Sequence, residues 1–98
     1  MKILLACSAG MSTSLLEQSI RKYAESLGET IDVIAKPSGE AKTIIKNYDI
    51  VLLGPQVKFM EQSFKDVAGD IPVIVIPPAI YAMAKGEDCY KLAKDNIK

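Results

Sequence analysis

The chain has 98 residues, 12 basic and 12 acidic side chains, two cysteines, and neither histidine nor tryptophan. A zero formal charge removes the electrostatic footprint of a nucleic-acid binder. Without histidine this chain cannot hold a Ser-His-Asp triad, a histidine base or a phosphohistidine, and a zinc site would rest on two distant thiols, so no metal and no cofactor is expected.

The elements alternate between strand and helix throughout. Ile3 to Ala6 is wholly apolar, as in a strand buried on both faces. The small residues Cys7 to Ser14 follow. A helix then carries Leu15, Leu16, Ile20, Tyr23, Ala24 and Leu27 near a 3.6-residue period, with Gly28 as its stop. Ile31 to Ala35 mixes apolar and charged residues and reads as an outer strand. Pro37-Ser38-Gly39 reads as a turn, and Ala41, Ile44, Ile45 and Tyr48 recur with the spacing of a short amphipathic helix. Ile50 to Leu53 is a second wholly apolar strand. After Gly54-Pro55-Gln56, a helix is lined by Val57, Met60, Phe64, Val67 and Ala68, with Pro55 in its first turn and Gly69 past its end. Val73 to Ile76 is a last strand, and the flanking Pro72 and Pro77 favour an edge. Ala79 to Lys98 is helical by pattern, with a break near Gly86.

Four strands alternating with helices imply an α/β fold with right-handed crossovers: a three-layer, doubly wound, four-stranded parallel sheet, helices on both faces, in one domain spanning 1–98. The two apolar strands belong at the centre, which gives the order 2-1-3-4. Ligands of such sheets bind beyond the carboxyl ends of the strands, where the winding reverses. The segments arriving there are Cys7 to Ser14 and Gly54 to Gln56. No apolar run approaches the ~20 residues that span a bilayer, and neither cysteine lies in a C-x-x-C pair. The expectation is a reduced cytoplasmic protein.

Taken singly, a cysteine near a strand end is most often a buried small hydrophobe. Cys7 has unusual company. The N–H groups and dipole of a following helix stabilise a thiolate or hold a phosphate dianion. Gly10 lets the loop turn back toward the sulfur, and Ser8, Ser12, Thr13 and Ser14 add hydroxyls, although Ser14-x-x-Glu17 also scores as a capping box. Cys89 has no such neighbours and reads as packing or surface. Three classes use an anion cradle beside a thiol or an acid. A low-molecular-weight tyrosine phosphatase needs an arginine six positions after the nucleophile, where this chain has Thr13. A receiver domain needs acidic residues where Ala6 and Leu53 stand. A nucleotide-binding loop needs a lysine that Gly10-Met11-Ser12 does not supply.

The run Cys7-Ser8-Ala9-Gly10-Met11-Ser12-Thr13-Ser14-Leu15-Leu16, followed later by Leu52-Leu53-Gly54-Pro55-Gln56, closely resembles the enzyme IIB component of the bacterial sugar phosphotransferase system, lactose/cellobiose family. The loop is similar to that of the cellobiose branch rather than the more glycine-rich lactose branch. The likeness runs over essentially the whole chain and is looser around Ile80-Tyr81. It implies an enzyme that relays a phosphoryl group: Cys7 accepts phosphate from a phosphohistidine on a IIA protein and donates it to a sugar of the cellobiose, β-glucoside or lactose class held by a membrane IIC permease. It also implies that Ser8, Ala9, Gly10, Met11, Ser12, Thr13 and Ser14 cradle the phosphate. Gly54 and Pro55 are adequately explained as a strand end and a helix start. Gln56 can face the cysteine loop across the switch point, and Tyr81 can border the same rim. Phe59 and Met60 are candidates for a docking surface, Met60 also for the core. The alternatives are a small phosphatase, or a phosphate-sensing domain with an incidental cysteine.

Overall fold

The computed structural model describes residues 1–8 and 10–97, the side chains of residues 10–13 excepted. Strand β1 (Lys2–Cys7) leads into helix α1 (Gly10–Ser26), β2 (Asp32–Pro37) into α2 (Ser38–Ile44), and β3 (Ile50–Leu53) into a 3-10 segment (Pro55–Met60) continued by α3 (Glu61–Ala68). Strand β4 (Val73–Val75) is followed by the short α4 (Pro78–Ala82) and by α5 (Gly86–Asn96). The strands form one parallel sheet in the order β2-β1-β3-β4. Leu5 sits opposite Ala35 on one side and Leu52 on the other. The order expected from the two apolar strands is therefore the observed one.

Both central strands are buried along their apolar runs, and alternation of side chains divides their residues between two cores. Ile3, Leu5, Ile50 and Leu52 pack with Leu16, Ile20 and Ala24 of α1, Cys89 and Ala93 of α5, and Tyr81 of α4. Leu4, Ala6, Val51 and Leu53 pack with Ala41, Val57, Phe64 and Ala68 on the opposite face. The result is three layers, with α1, α4 and α5 on one side of the sheet and α2 and α3 on the other.

Three local expectations need correction. Pro37-Ser38-Gly39 is not a free turn: Pro37 ends β2 and the helix begins at Ser38. Proline suits a strand end next to a helix start, because neither position needs its missing N–H. The helix expected directly after Gly54 begins as a 3-10 segment, in which Val57 has φ −114° and ψ 22°, and only becomes α-helical at Glu61. Leu15, Leu27 and Val67 are surface residues, 63%, 50% and 42% exposed. Adjacent Leu15 and Leu16 are about 100° apart on a helix, so only one can face the sheet, and Leu16 does. The break expected near Gly86 is present: Ala84 has a φ of 49°, and Gly86 is the first residue of α5.

Gly86 is a glycine for lack of room. A Cβ there would lie 2.3 Å from the carbonyl carbon of Ser19, and the Gly86 N–H donates to Ser19 Oγ at 3.0 Å. Thus α5 starts directly against the backbone of α1. Farther along, the Tyr23 and Tyr90 rings meet edge to face with centroids 5.3 Å apart. Helix α1 ends in paired hydrogen bonds, Glu29 N–H to the Ala24 carbonyl and Gly28 N–H to that of Glu25, the C-terminal closure expected where a left-handed residue follows a helix. Both ends of the α1–α5 packing are therefore fixed by close contact.

Candidate functional site

Strand β1 delivers Cys7 to the carboxyl edge of the sheet, and α1 starts only three positions later, at Gly10. The backbone from Gly10 to Thr13 is the first turn of that helix. Its leading N–H groups have no carbonyl one turn earlier to bond, and a helix of 17 residues carries a full macrodipole. Cys7 follows the alternation of Ile3 and Leu5 onto the α1 face of the sheet, and it is only 1% exposed. Ser8 is exposed. Ser14 is also exposed and lies inside α1, so the capping-box reading fails: the helix begins four residues before the proposed cap. The expectations for Ala9, and for the side chains of Met11, Ser12 and Thr13, lie outside the described residues.

The second segment converges on the same edge. The Gly54 N–H donates to the Ala6 carbonyl at 2.8 Å, and its own carbonyl accepts from Val57 N–H at 3.0 Å. Pro55 opens the 3-10 segment, and Gln56 is exposed beside it. A Cβ on Gly54 would stand 2.9 Å from Gln56 Oε1, 3.3 Å from Tyr81 Cε1 and 3.5 Å from Cys7 Cβ. Cys7, Gln56 and Tyr81, which lie at the ends of or after three different strands, therefore meet around one missing side chain. Tyr81 is 8% exposed and belongs to the core on the α1 face.

The elements that leave this edge carry exposed apolar side chains: Leu15 on α1, Phe59 (80% exposed) in the 3-10 segment and Met83 (69%) just past α4. Met60 is half-buried against the α3 core, so of the two docking candidates it is the core residue. Leu15 and Met83 were not singled out from sequence. The signal available for Leu15 was its neighbour Leu16, which already filled the core position.

The chain's single arginine is Arg21. It lies eleven residues into α1, about 16 Å along the axis from Gly10 at ~1.5 Å per residue. Its Nη2 donates to the Val33 carbonyl at 2.7 Å and to Glu17 Oε1 at 3.1 Å. It caps an unpaired carbonyl on the edge strand β2 and is not placed to clamp an anion at Cys7. The other thiol, Cys89, is fully buried. Burial, with a smaller contribution from the Asp88 charge, pushes it up to about 12. Neither cysteine is half of a disulfide. A cleft of about 370 Å³ lined by Met1, Glu29, Asp49, Lys94 and Ile97 lies at the amino ends of the strands, at the other end of the sheet from Cys7.

Comparison with known proteins adds the family context. The family described as PTS system, lactose/cellobiose specific IIB subunit, matches residues 2–92. The oligo-beta-mannoside-specific EIIB component of Bacillus subtilis is 43% identical over 94 residues, covering 94% of this chain and 91% of that protein. The lactose-specific EIICB component of Staphylococcus epidermidis is 28% identical over 93 residues, and the match takes in 95% of this chain but 15% of that longer protein. Among solved structures, the cellobiose-specific phosphotransferase IIB component of Borrelia burgdorferi superposes with a TM-score of 0.79 at 35% identity, over 97% of this chain and 89% of that one.

Proposed function

Because the chain belongs to the lactose/cellobiose-specific IIB subunit family of the phosphotransferase system, we propose that it is a phosphoryl carrier whose nucleophile is Cys7. The thiol attacks the phosphorus of a phosphohistidine on a IIA protein. The S–P bond forms as the N–P bond breaks, and the thiol proton ends on the departing imidazole. A hydroxyl of a sugar held by the membrane IIC component then attacks the same phosphorus: the O–P bond forms as the S–P bond breaks, and the hydroxyl proton ends on the departing sulfur, restoring the thiol. The sugar is of the cellobiose, β-glucoside or lactose class, and transfer takes place on the cytoplasmic side of the membrane. That one similar protein bears the combined name EIICB supports the pairing with IIC. Among the described residues, no helix of this chain is long and apolar enough to cross a membrane.

The observation that carries the proposal is the placement of Cys7 at the end of β1, immediately ahead of the N-terminus of α1 and against Gly54. Main-chain N–H groups and a helix dipole hold a dianion without fixing it as a guanidinium would. Arg21 is engaged elsewhere, and the absence of histidine leaves no imidazole to activate water. Those features suit holding and handing over rather than hydrolysis, and they count against the phosphatase alternative. The exposed Leu15, Phe59 and Met83, on the elements that leave the thiol's edge, offer the partners apolar side chains of the aromatic and methionine type enriched in interface cores.

Phosphorylation of the purified protein by phosphorylated IIA, followed by mass spectrometry, tests the assignment. Wild type and Cys89→Ser gain one phosphoryl group, and Cys7→Ser gains none, because a hydroxyl is a far weaker nucleophile at neutral pH. Phosphate on Cys7→Ser, or rapid release of phosphate from the wild type into buffer, overturns the carrier reading.

A further inference from the structure

Gly54 is not required by the backbone. Its φ of −61° and ψ of 148° are open to any L-residue, so the turn itself does not demand glycine. What a side chain would occupy is the space shared by Gln56 Oε1 at 2.9 Å, Tyr81 Cε1 at 3.3 Å and Cys7 Cβ at 3.5 Å. The nearest of these is the free end of a flexible chain on an exposed residue. The carboxamide of Gln56 therefore folds back over Gly54 toward the cysteine, although an exposed glutamine has open solvent available in other directions.

Building on the carrier reading, we propose that Gly54 is a positioning residue: its missing side chain lets the Gln56 carboxamide lie at the rim of Cys7, where it bonds an oxygen of the phosphoryl group being transferred. A carboxamide has a donor end and an acceptor end, exchanged by half a turn about one bond, so the N–H end can be presented to a phosphoryl oxygen. The hydrogen bond of Gly54 N–H to the Ala6 carbonyl at 2.8 Å ties this arrangement to the strand that carries Cys7, so the distance between carboxamide and thiol is set by the sheet. As a neutral donor, Gln56 stabilises charge that develops on the phosphoryl group without the ground-state grip of a fixed cation.

The test is a double-mutant cycle on the intact protein, reading the single-turnover rate of phosphoryl transfer from phosphorylated IIA across donor concentrations. Gln56→Ala and Gly54→Ala each slow the saturating rate roughly 10- to 100-fold, the range a hydrogen bond to a charged group is worth. The donor concentration giving half the maximal rate stays unchanged. The double variant is no slower than either single one, since both changes remove the same contact. Gln56→Ala alters an exposed side chain and keeps the question answerable even if Gly54→Ala fails to fold. A wild-type rate in Gln56→Ala, or losses that multiply in the double variant, overturns the positioning role while leaving the carrier role standing. A wild type that takes no phosphate at all overturns both.

Discussion

Two cysteines of similar burial have opposite surroundings, and the difference is chemical. Cys7 is the last residue of a strand and faces a helix start, whereas Cys89 lies within α5, enclosed by the core between that helix and the sheet. Desolvation raises the Cys89 thiol from its ordinary 9.0 to about 12, so almost no thiolate exists at neutral pH and no path leads a reagent to it. A Cys7→Ser protein, in which Cys89 is the sole thiol, should resist iodoacetamide at pH 8 when native and react at once when unfolded in urea. Ready labelling of the native form would show that α5 opens or that the thiol is not enclosed. From sequence, Cys89 stood undecided between packing and surface, because a cysteine in an amphipathic helix fits either face. Packing proved to be its role. Cys7 stood out in sequence as the candidate nucleophile because a strand end, a glycine and several hydroxyl residues lie beside it in the chain. The space above Gly54 was not, since a glycine before a proline already had a sufficient explanation as a turn.

At the level of elements, strands were easier to read than helix starts. Ile3 to Ala6 and Ile50 to Leu53 announced themselves as continuous apolar runs, and their central positions followed. Helix starts depend on which residue takes the first helical conformation. Ser14-x-x-Glu17 suggested a cap that the structure moves four residues upstream, and Pro55 opened a 3-10 segment rather than an α-helix. Gly86 was legible in part: the tail breaks beside it, at Ala84, as expected, but the pattern did not show that Gly86 brings α5 onto α1. Gly86→Ala should destabilise the protein by about 1–3 kcal/mol, the usual cost of forcing a methyl group into a packed contact. The atom in its way is backbone, which cannot rotate aside. Urea denaturation checks this, and an unchanged midpoint would mean that α1 and α5 separate freely. Because α1 also carries the N–H groups beside Cys7, the loss of this contact reaches the candidate site through a single rigid element.

Across the whole molecule, the last helix is tied to the turn after α1 by charge as well as packing. Tyr90 donates its hydroxyl to Glu29, and Lys94 Nζ lies 3.4 Å from Glu29 Oε1 and 3.2 Å from the Tyr90 oxygen. The Tyr90 hydrogen bond, followed by Lys94, holds the Glu29 carboxyl below its ordinary 4.5. Glu29 therefore adds stability above that pH, which is lost as acid takes the pH through its lower folded value. Tyr90 is raised above 10.0 chiefly by its bond to Glu29, and Lys94 above 10.5 by Tyr90 and then Glu29. Their contributions are present below those values and vanish as alkali carries the pH through the raised ones. Thermal melts of wild type and Glu29→Gln should accordingly differ most near neutrality, the difference shrinking as the pH falls well below 4.5 and as it rises well above 10.5. A constant difference across that range would remove the ionic origin of the tie. The sheet order shared by all these parts was legible from two apolar strands and the crossover rule, whereas the tie joins residues 61 apart in sequence, a pairing no local pattern announces. Because the strands are all parallel, their carboxyl ends share one edge, which gathers Cys7, Gln56 and Tyr81 on a single side of the molecule. On the carrier reading proposed above, donor and acceptor would meet that one side in turn and compete for it, so that unphosphorylated donor left in place would act as a brake on delivery of the sugar phosphate.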